Sequence, residues 1–212
     1  MDLFRDKASE KYFVGFLKSR RSYKLEFSSE DVDIKLIEDC IDIARWAPSA
    51  HNGQFWRYII LKKSKLREDL ITKMNEKLRK DLLKDGKSKS FIENKILSTK
   101  NQFLKAPYLI LLCLDKPNFE KYSDPDRNQN EFIMEVQSVS ASATYLLLAL
   151  ESKGLAACWY CAPLFTRHIV KEVLNLPESY YPIAFFTTGY SKKTPSVPKR
   201  KRLEDIIYNL NQ

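Results

Sequence analysis

The stretch that organises the chain reads Ala47-Pro48-Ser49-Ala50-His51-Asn52-Gly53-Gln54-Phe55-Trp56-Arg57. Before it, residues 34–46 repeat apolar side chains at helical spacing. After it, residues 55–61 are dense in aromatic and β-branched types, which predicts a strand. The polar residues between them therefore lie on a short connection between two buried elements. Such a connection presents donors and acceptors on a rigid frame, which is typical of small-molecule sites.

The other predicted elements mix helices and strands. Helices are predicted over 8–19, 34–47, 131–153, 163–174 and 203–210, with two more over 64–104 that are broken near Asp85-Gly86. Strands are predicted over 55–62, 106–115, 155–162 and 183–188, and a polar loop over 116–130. Because strands and helices do not alternate regularly, the predicted fold class is α+β. We expect one domain over 1–212, with 64–104 as a charged helical excursion and 190–212 as a basic C-terminal extension.

The predicted helix over 131–153 has an informative composition. Many small side chains lie together in its middle, at Gln137, Ser138, Ser140, Ala141, Ser142, Ala143 and Thr144. Three leucines follow, Leu146, Leu147 and Leu148. Small residues allow another helix to approach closely, whereas leucines on several faces require burial. This pattern favours a central helix that packs in its own core and against a partner subunit.

Composition limits the possible functions. With 44% hydrophobic residues among 212, the chain can bury one sizeable core. It has 5 glycines and neither a G-x-G-x-x-G nor a Walker pattern, so bound phosphate must be held by side chains. The net charge of +9 favours anionic partners, among which nucleic acid remains a distant alternative.

No apolar run is suited to a secretory signal or reaches the roughly 20 residues that span a bilayer. We therefore expect a cytoplasmic protein with no membrane partner. In that compartment its four cysteines, Cys40, Cys113, Cys158 and Cys161, are expected to be reduced thiols.

Two of the cysteines suggest metal or redox chemistry at first sight. Cys158 and Cys161, followed by His168, resemble half of a zinc site. A closed site needs four ligands, but there is no second Cys-x-x-Cys and His51 is the only other histidine, so no metal is predicted. The pair has the spacing of a redox dithiol, yet it lies in an apolar segment, which favours core or pocket-wall cysteines. No G-x-S-x-G elbow indicates a nucleophilic serine.

Three separated features are consistent with one another. Residues 20–24, Arg-Arg-Ser-Tyr-Lys, combine three cations with hydroxyls and suit an anion. Residues 48–54 offer amide and hydroxyl groups that can bind the edge of a polar heterocycle. The basic segment 192–202 adds charge, while Trp159 and Tyr160 add flat surfaces. A phosphorylated planar cofactor would use all of these groups together.

These motifs resemble the nitroreductase family of FMN-dependent oxidoreductases. The resemblance includes Arg20-Arg21-Ser22-Tyr23-Lys24-Leu25-Glu26-Phe27, the stretch 47–57, the small-residue helix and the segment Gly154-Leu155-Ala156-Ala157-Cys158-Trp159, in this order. It runs from about residue 11 to the C-terminus. It implies an intertwined homodimer with a nitroreductase-like fold, in which a central, mostly antiparallel or mixed sheet is flanked by helices and FMN lies at the subunit interface.

The resemblance also implies roles for individual residues. The phosphate, the ribityl chain and the pyrimidine edge of FMN are expected to be held by Arg20, Arg21, Ser22 and Lys24. The residues expected to reach the flavin of the partner subunit are Pro48, Ser49, Ala50 and Asn52, with Gln54 as their neighbour. The stretch beside the reactive face of the flavin is matched by Trp159, Tyr160, Cys161 and Ala162. A late basic pair near the phosphate is matched by Arg200 and Arg202, with Lys199 and Lys201 as alternatives.

The expected function follows from this resemblance. A nicotinamide donor, NAD(P)H, passes hydride to FMN, and a small organic acceptor such as a nitroaromatic or a quinone then replaces it in a ping-pong mechanism. Lys24 is expected to stabilise the reduced flavin electrostatically, so that no residue need act as acid or base. Two departures, Phe55 where the family usually has proline and Cys161-Ala162 where some members have an acidic residue and glycine, alter the substrate pocket. Dehalogenation, flavin cleavage and deazaflavin chemistry, which occur among relatives, therefore remain alternatives.

Overall fold

The computed structural model describes residues 6–24, 26–116 and 122–208. Its helices are α1 (Lys7–Ser19), α2 (Ile34–Ala44), α3 (Lys65–Lys84), α4 (Lys89–Lys105), α5 (Pro125–Ser152), α6 (Ala162–Phe165) and α7 (Arg167–Leu174). Its strands are β1 (Trp56–Lys62), β2 (Tyr108–Asp115), β3 (Ala156–Tyr160) and β4 (Tyr180–Gly189), and 3₁₀ turns occur at Ala50–Asn52 and Leu203–Asp205. Leu25, within the first family motif, lies outside the described residues.

The four strands form one antiparallel sheet in the order β1-β2-β4-β3. The continuously apolar strand β2 is central and is buried on both faces, as its composition predicts. The register of β2 against β4 shifts between Leu112 and Cys113, where Cys113 lies opposite Pro182. Proline has no amide proton for the ladder, so it is accommodated at this irregularity. The predicted α+β architecture, an antiparallel sheet flanked by helices, is confirmed.

Helices cover both faces of the sheet and form two hydrophobic cores. Ile110 and Leu112 of β2 belong to the core under α2 and α5. Leu109 and Leu111, which alternate with them, belong to the core under α3, α4 and α7. By length and composition α5 could cross a bilayer, but 50% of its most apolar window is buried inside the protein. Core packing therefore accounts for its apolar character.

Several predicted boundaries are wrong. Within the predicted loop 116–130, helix α5 already begins at Pro125, because the Asp124 carboxylate caps the Asp126 amide at 2.9 Å and proline suits the first helical position. Helix α2 ends three residues before the predicted 47, and the predicted helix 163–174 is divided at Thr166 into α6 and α7.

The strand and C-terminal boundaries also differ. Strand β4 is longer than the predicted 183–188, and β3 is shorter than 155–162 because α6 begins at Ala162. Only a 3₁₀ turn at Leu203–Asp205 forms within the predicted helix 203–210, of which 209–210 lie outside the described residues. The two helices predicted within 64–104 are confirmed, with their break at residues 85–88.

A buried arginine anchors the outer helical layer. The apolar spacing of α3 predicts inward positions at Leu66, Leu70, Met74, Leu78 and Leu82, but Leu66 is exposed, and the neighbouring Arg67 is only 1% exposed. Arg67 donates to the carbonyls of Phe103, Ala106 (2.9 Å) and Pro107 (3.2 Å), around the C-terminal end of α4. Burial lowers the pKa of Arg67 to about 10, so it remains charged at neutral pH. The cation thus satisfies carbonyls at the negative end of the helix dipole.

Replacing this arginine tests its structural role. Arg67→Met should lower the free energy of unfolding by roughly 2–4 kcal/mol, because several buried carbonyls lose their donor. Urea denaturation measures the change. Arg79→Met on the same helix is the control, since Arg79 pairs with Glu93 at the surface and its loss should have little effect. Equal losses for the two variants would contradict this role of Arg67.

Candidate cofactor site

The turn between α2 and β1 has a strained backbone. His51, Asn52 and Gln54 have positive φ angles of 51°, 54° and 47°. Non-glycine residues in this region cost free energy and cluster at functional sites. Gly53 must lack a side chain for a different reason, because a Cβ atom at this position would lie 2.0 Å from the ring of Phe55. Phe55, the departure from the family's usual proline, is thus accommodated by the neighbouring glycine.

Serines of α5 hold this turn in place. The Ala50 amide donates to Ser138 Oγ at 3.0 Å. Ser142 Oγ donates to the carbonyl of Ala44, the last residue of α2, at 3.0 Å and bonds the Tyr58 hydroxyl at 2.7 Å. Small side chains on α5 therefore do more than permit close approach, because their hydroxyls bond the elements that precede and follow the turn.

The polar side chains of the turn remain available. Ser49 Oγ accepts a hydrogen bond from the backbone amide of Gln54 at 3.1 Å, which closes the turn internally. Pro48, Asn52 and Gln54 are exposed, while Ser49 and Ala50 are half-buried. The Gln54 side chain reaches Asn52 Oδ1 at 3.3 Å. The turn thus presents two neighbouring amide side chains to solvent.

The cationic motif lies along the edge strand of the sheet. The Tyr23 amide donates to the Ala157 carbonyl of β3 at 2.9 Å. Phe27 then pairs with Ser191, and the Ser28 amide donates to the Tyr190 carbonyl at 2.8 Å. Residues 20–24 and the beginning of the basic segment are thereby brought to the same edge.

The cations of this motif are only partly paired. Arg21 Nη1 donates to the carbonyls of Lys18 and Arg20 at 2.6 and 2.9 Å, but its buried Nε has no hydrogen-bond partner. Glu151 of α5 lies nearby: burial raises its pKa, although the charges of Arg20 and Arg21 and a bond to the Arg21 amide oppose the rise. An unpartnered guanidinium N–H beside other cations suits an added anion.

The side chains of the strand beside this motif point in opposite directions. Trp159 packs against Phe186 at 5.3 Å between ring centroids, on the α5 side, with its indole N–H buried and unpartnered. Tyr160 packs edge-on against Phe103 at 5.0 Å on the other side, and its hydroxyl reaches the Lys24 carbonyl at 3.5 Å. Cys161 is exposed and Ala162 begins α6.

The cysteines have different environments. Cys158 is buried, and burial raises the pKa of its thiol, although Tyr160, Lys24, Arg20 and Ser22 act in the opposite direction. It is therefore a neutral wall residue rather than a reactive thiolate. Cys161 is exposed, which excludes the core alternative for it and leaves the pocket-wall alternative as a prediction. In the described ranges 6–24, 26–116 and 122–208, no three His, Cys, Asp or Glu residues are grouped to hold a metal ion.

The late basic pair of the predicted site makes contacts close to itself in the chain. Arg202 pairs with Glu204 and Asp205, and Arg200 reaches only the Lys199 carbonyl at 3.5 Å. Among the described residues, no hydrogen bond or ion pair joins Arg200 or Arg202 to the motif 20–24. None joins the turn 48–54 to that motif either. The contacts of the described residues therefore join the cationic motif to β3, and none of them joins it to the turn or to the basic pair.

Comparisons with known proteins agree with this architecture. The sequence model of the nitroreductase family matches residues 17–190. The chain is 31% identical over 199 residues to an iodotyrosine deiodinase of Thermotoga neapolitana, covering 91% of this chain and 96% of that protein. A BluB-like flavoprotein from Clostridium difficile 630, 22% identical, superposes with a TM-score of 0.74 over 94% of this chain and 99% of that one. An oxidized iodotyrosine deiodinase bound to FMN and 3-iodo-L-tyrosine is 25% identical to this chain. It superposes with a TM-score of 0.70 over 94% of this chain and 98% of that one.

The chain belongs to the nitroreductase family, because the family match covers most of its length. The resemblance read from the two N-terminal motifs is confirmed.

A buried carboxyl near the turn has no counterpart in the sequence predictions. Glu135 lies one turn before Ser138 on α5, is 3% exposed, and has an Oε2 without a hydrogen-bond partner. Burial raises its pKa, the charge of Lys116 opposes this rise, and Glu131 adds to it. The hydrophobic neighbours of α5 indicate only an inward face, so the sequence does not single out this carboxyl.

The raised pKa predicts a pH-dependent effect on stability. The ionised form is disfavoured in the folded state, so stability is lost as the pH rises from the ordinary carboxyl pKa through the raised one. Glu135→Gln should raise the melting temperature at neutral pH by roughly 2–4 °C, which corresponds to about 1 kcal/mol in a chain of this size. The gain should vanish below the ordinary carboxyl pKa. Exposed Glu76→Gln is the control, and a gain that is independent of pH would refute the explanation.

Proposed function

We propose that the protein binds FMN and transfers hydride from NAD(P)H, through the flavin, to a small organic acceptor such as a nitroaromatic or a quinone. The observation that carries this proposal is the cationic motif 20–24 bound along β3, with Arg21 Nε buried and unpartnered. Membership of the nitroreductase family and a relative solved with FMN support it.

The residues present fit a phosphorylated flavin. Rotation of the Arg21 side chain would present its Nε to a phosphate oxygen and satisfy a donor that lacks a partner. Arg20 and Lys24 add charge of the same sign, and Ser22 adds an exposed hydroxyl. Since no glycine-rich loop is available, these side chains are the means by which the chain would hold phosphate.

The rest of the site requires a second copy of the chain. Helix α1 has no buried residue, and its Tyr12 and Leu17 are exposed, as is Trp46 beside the turn. An amphipathic helix without a buried face indicates a missing partner. We propose a homodimer in which the turn 48–54 of one subunit reaches the flavin held by the motif 20–24 of the other. Arg200 and Arg202 would add to the phosphate site in that assembly.

The chain contributes binding and electrostatics to the reaction. When bound, FMN accepts hydride from a nicotinamide and delivers electrons to a second substrate. Lys24, exposed beside β3, would stabilise negative charge at the pyrimidine edge, and amide side chains of the turn would bind polar atoms of the ring. The half-buried Trp159 and the buried Cys158, on the two faces of β3, would limit the access of water to the site from the sheet.

A second candidate activity is reductive dehalogenation of a halogenated aromatic. It is favoured by the similarity to the Thermotoga neapolitana iodotyrosine deiodinase, at 31% identity over 91% of this chain. Both activities would use the same flavin site, so they differ in the acceptor rather than in the residues that hold the cofactor. Release of halide distinguishes the second from the first.

Spectroscopy tests the proposed function. The purified protein should take up FMN, lose the flavin absorbance when NADH or NADPH is added without oxygen, and regain it with a nitroaromatic or quinone. Light scattering should give the mass of two chains. Halide release from a halophenol would instead favour dehalogenation. Failure to take up FMN would refute both.

Arg21 provides a test of the phosphate site. Arg21→Gln should weaken FMN binding roughly 10- to 100-fold, which is the loss expected for a hydrogen bond to a charged group. Riboflavin, which lacks the phosphate, should bind the variant and the parent protein equally. Fluorescence titration gives both affinities, and Arg79→Gln is the control. If both flavins weaken to the same degree, Arg21 does not contact the phosphate.

A further inference from the structure

A cavity of about 300 Å³ lies between α3, α4 and α6, on the face of the sheet opposite α5. Its walls are mainly apolar and include Met74, Leu78, Leu82, Phe103 and Phe165. Phe165 is 76% exposed, so the cavity opens to solvent beside this ring. A cavity of this size with aromatic walls accommodates a small planar molecule.

This cavity is formed by other residues than the proposed flavin site. Among its described lining residues, Ala162 alone belongs to those expected to hold FMN. Neither the cationic motif 20–24 nor the turn 48–54 contributes to the described walls. Trp159 packs in the core on the α5 side of the sheet. The cavity therefore offers a site for a molecule that takes no part in hydride transfer.

One polar group in the lining lacks a hydrogen-bond partner. Asn75 is 7% exposed, and its Oδ1 is buried without a partner. The two threonines of the lining donate their hydroxyls to backbone carbonyls, Thr99 to Lys95 at 2.9 Å and Thr166 to Ala162 at 3.1 Å. A buried acceptor without a donor is costly and is rare in folded proteins. Because the terminal torsion of asparagine is soft, the carboxamide can turn its oxygen toward a ligand that carries an O–H or N–H group.

The charges around the cavity are already paired with each other. Lys77 is the one cation among the described residues that line it, and its ammonium bonds both carboxylate oxygens of Asp81, at 2.6 and 2.5 Å. Asp85 is exposed at the rim. No free cation is therefore available in the described lining for an anionic ligand, and the burial of an unpaired charge here would be unfavourable.

We infer that this cavity is a second ligand site, which binds a small neutral aromatic alcohol or amine. The ring of the ligand lies among the apolar walls, and its O–H or N–H group donates to Asn75 Oδ1. The ligand is bound and is not a substrate of the flavin. This inference goes beyond the proposed function and does not depend on it.

Calorimetry on the purified protein at neutral pH tests the class of ligand. The probes are phenol, toluene and benzoate, which have similar sizes and differ in the donor and the charge. Phenol and toluene should both bind. Benzoate should bind at least about tenfold more weakly than phenol, because no free cation in the lining offsets the loss of its hydration. Saturation with FMN should leave the phenol affinity unchanged.

Two variants test the residues that form the site. Asn75→Leu should weaken phenol binding about tenfold, which is the loss of one hydrogen bond, and should leave toluene bound as tightly as before. Asn94→Leu, at an exposed position on α4, is its control and should change neither affinity. Leu78→Trp fills the cavity and should abolish the binding of both neutral probes. Leu83→Trp, at a position of α3 that is 60% exposed, is the matched control.

Each outcome decides for or against the second site. Absence of binding of either neutral probe, benzoate binding as tight as that of phenol, or competition between phenol and FMN would overturn the inference. Equal losses of phenol and toluene in Asn75→Leu would also overturn it, since the oxygen would then not accept from the ligand. Should Asn75→Leu fail to fold, the comparison of Leu78→Trp with Leu83→Trp and the ranking of the three probes decide. None of these measurements involves hydride transfer, so a failure of the proposed function is seen separately, as absent FMN uptake or reduction.

Discussion

The site depends on the burial of α5 between the sheet and α2. Ser138 and Ser142 on this helix bond the Ala50 amide and the Ala44 carbonyl, so the turn after α2 is held at a defined place. At its other end the helix leads through Gly154, whose φ is 72°, into β3, which binds the cationic motif through Tyr23. One helix thus positions both halves of the proposed cofactor site, and small residues with hydroxyls are what its close packing requires.

The opposite face of the sheet depends on a different kind of interaction. Arg67 is buried, and among the described residues no carboxylate pairs with it. Its guanidinium donates to carbonyls around the end of α4 instead. This charge joins α3 to the end of α4 and to Pro107, the residue that precedes β2.

The comparisons and the geometry bear on different levels of function. The family match and the shared fold establish the class of protein, since they cover almost the whole chain. The similarity to an iodotyrosine deiodinase supports dehalogenation as the second proposed activity.

The sequence by itself determined the fold class, the strand positions and the cationic motif, because periodicity and short motifs are local properties. It also predicted the break between α3 and α4 and the polar turn at 48–54. Only the tertiary structure decided that Arg67 lies inside and that Glu135 is buried, since each depends on residues far away in the chain. The start of α5 at Pro125 was missed because prolines suggest loops but also suit a first helical turn. No hydrogen bond or ion pair of the described residues joins the turn 48–54 or Arg200 to the cationic motif, and the homodimer that we propose would bring these parts to one flavin.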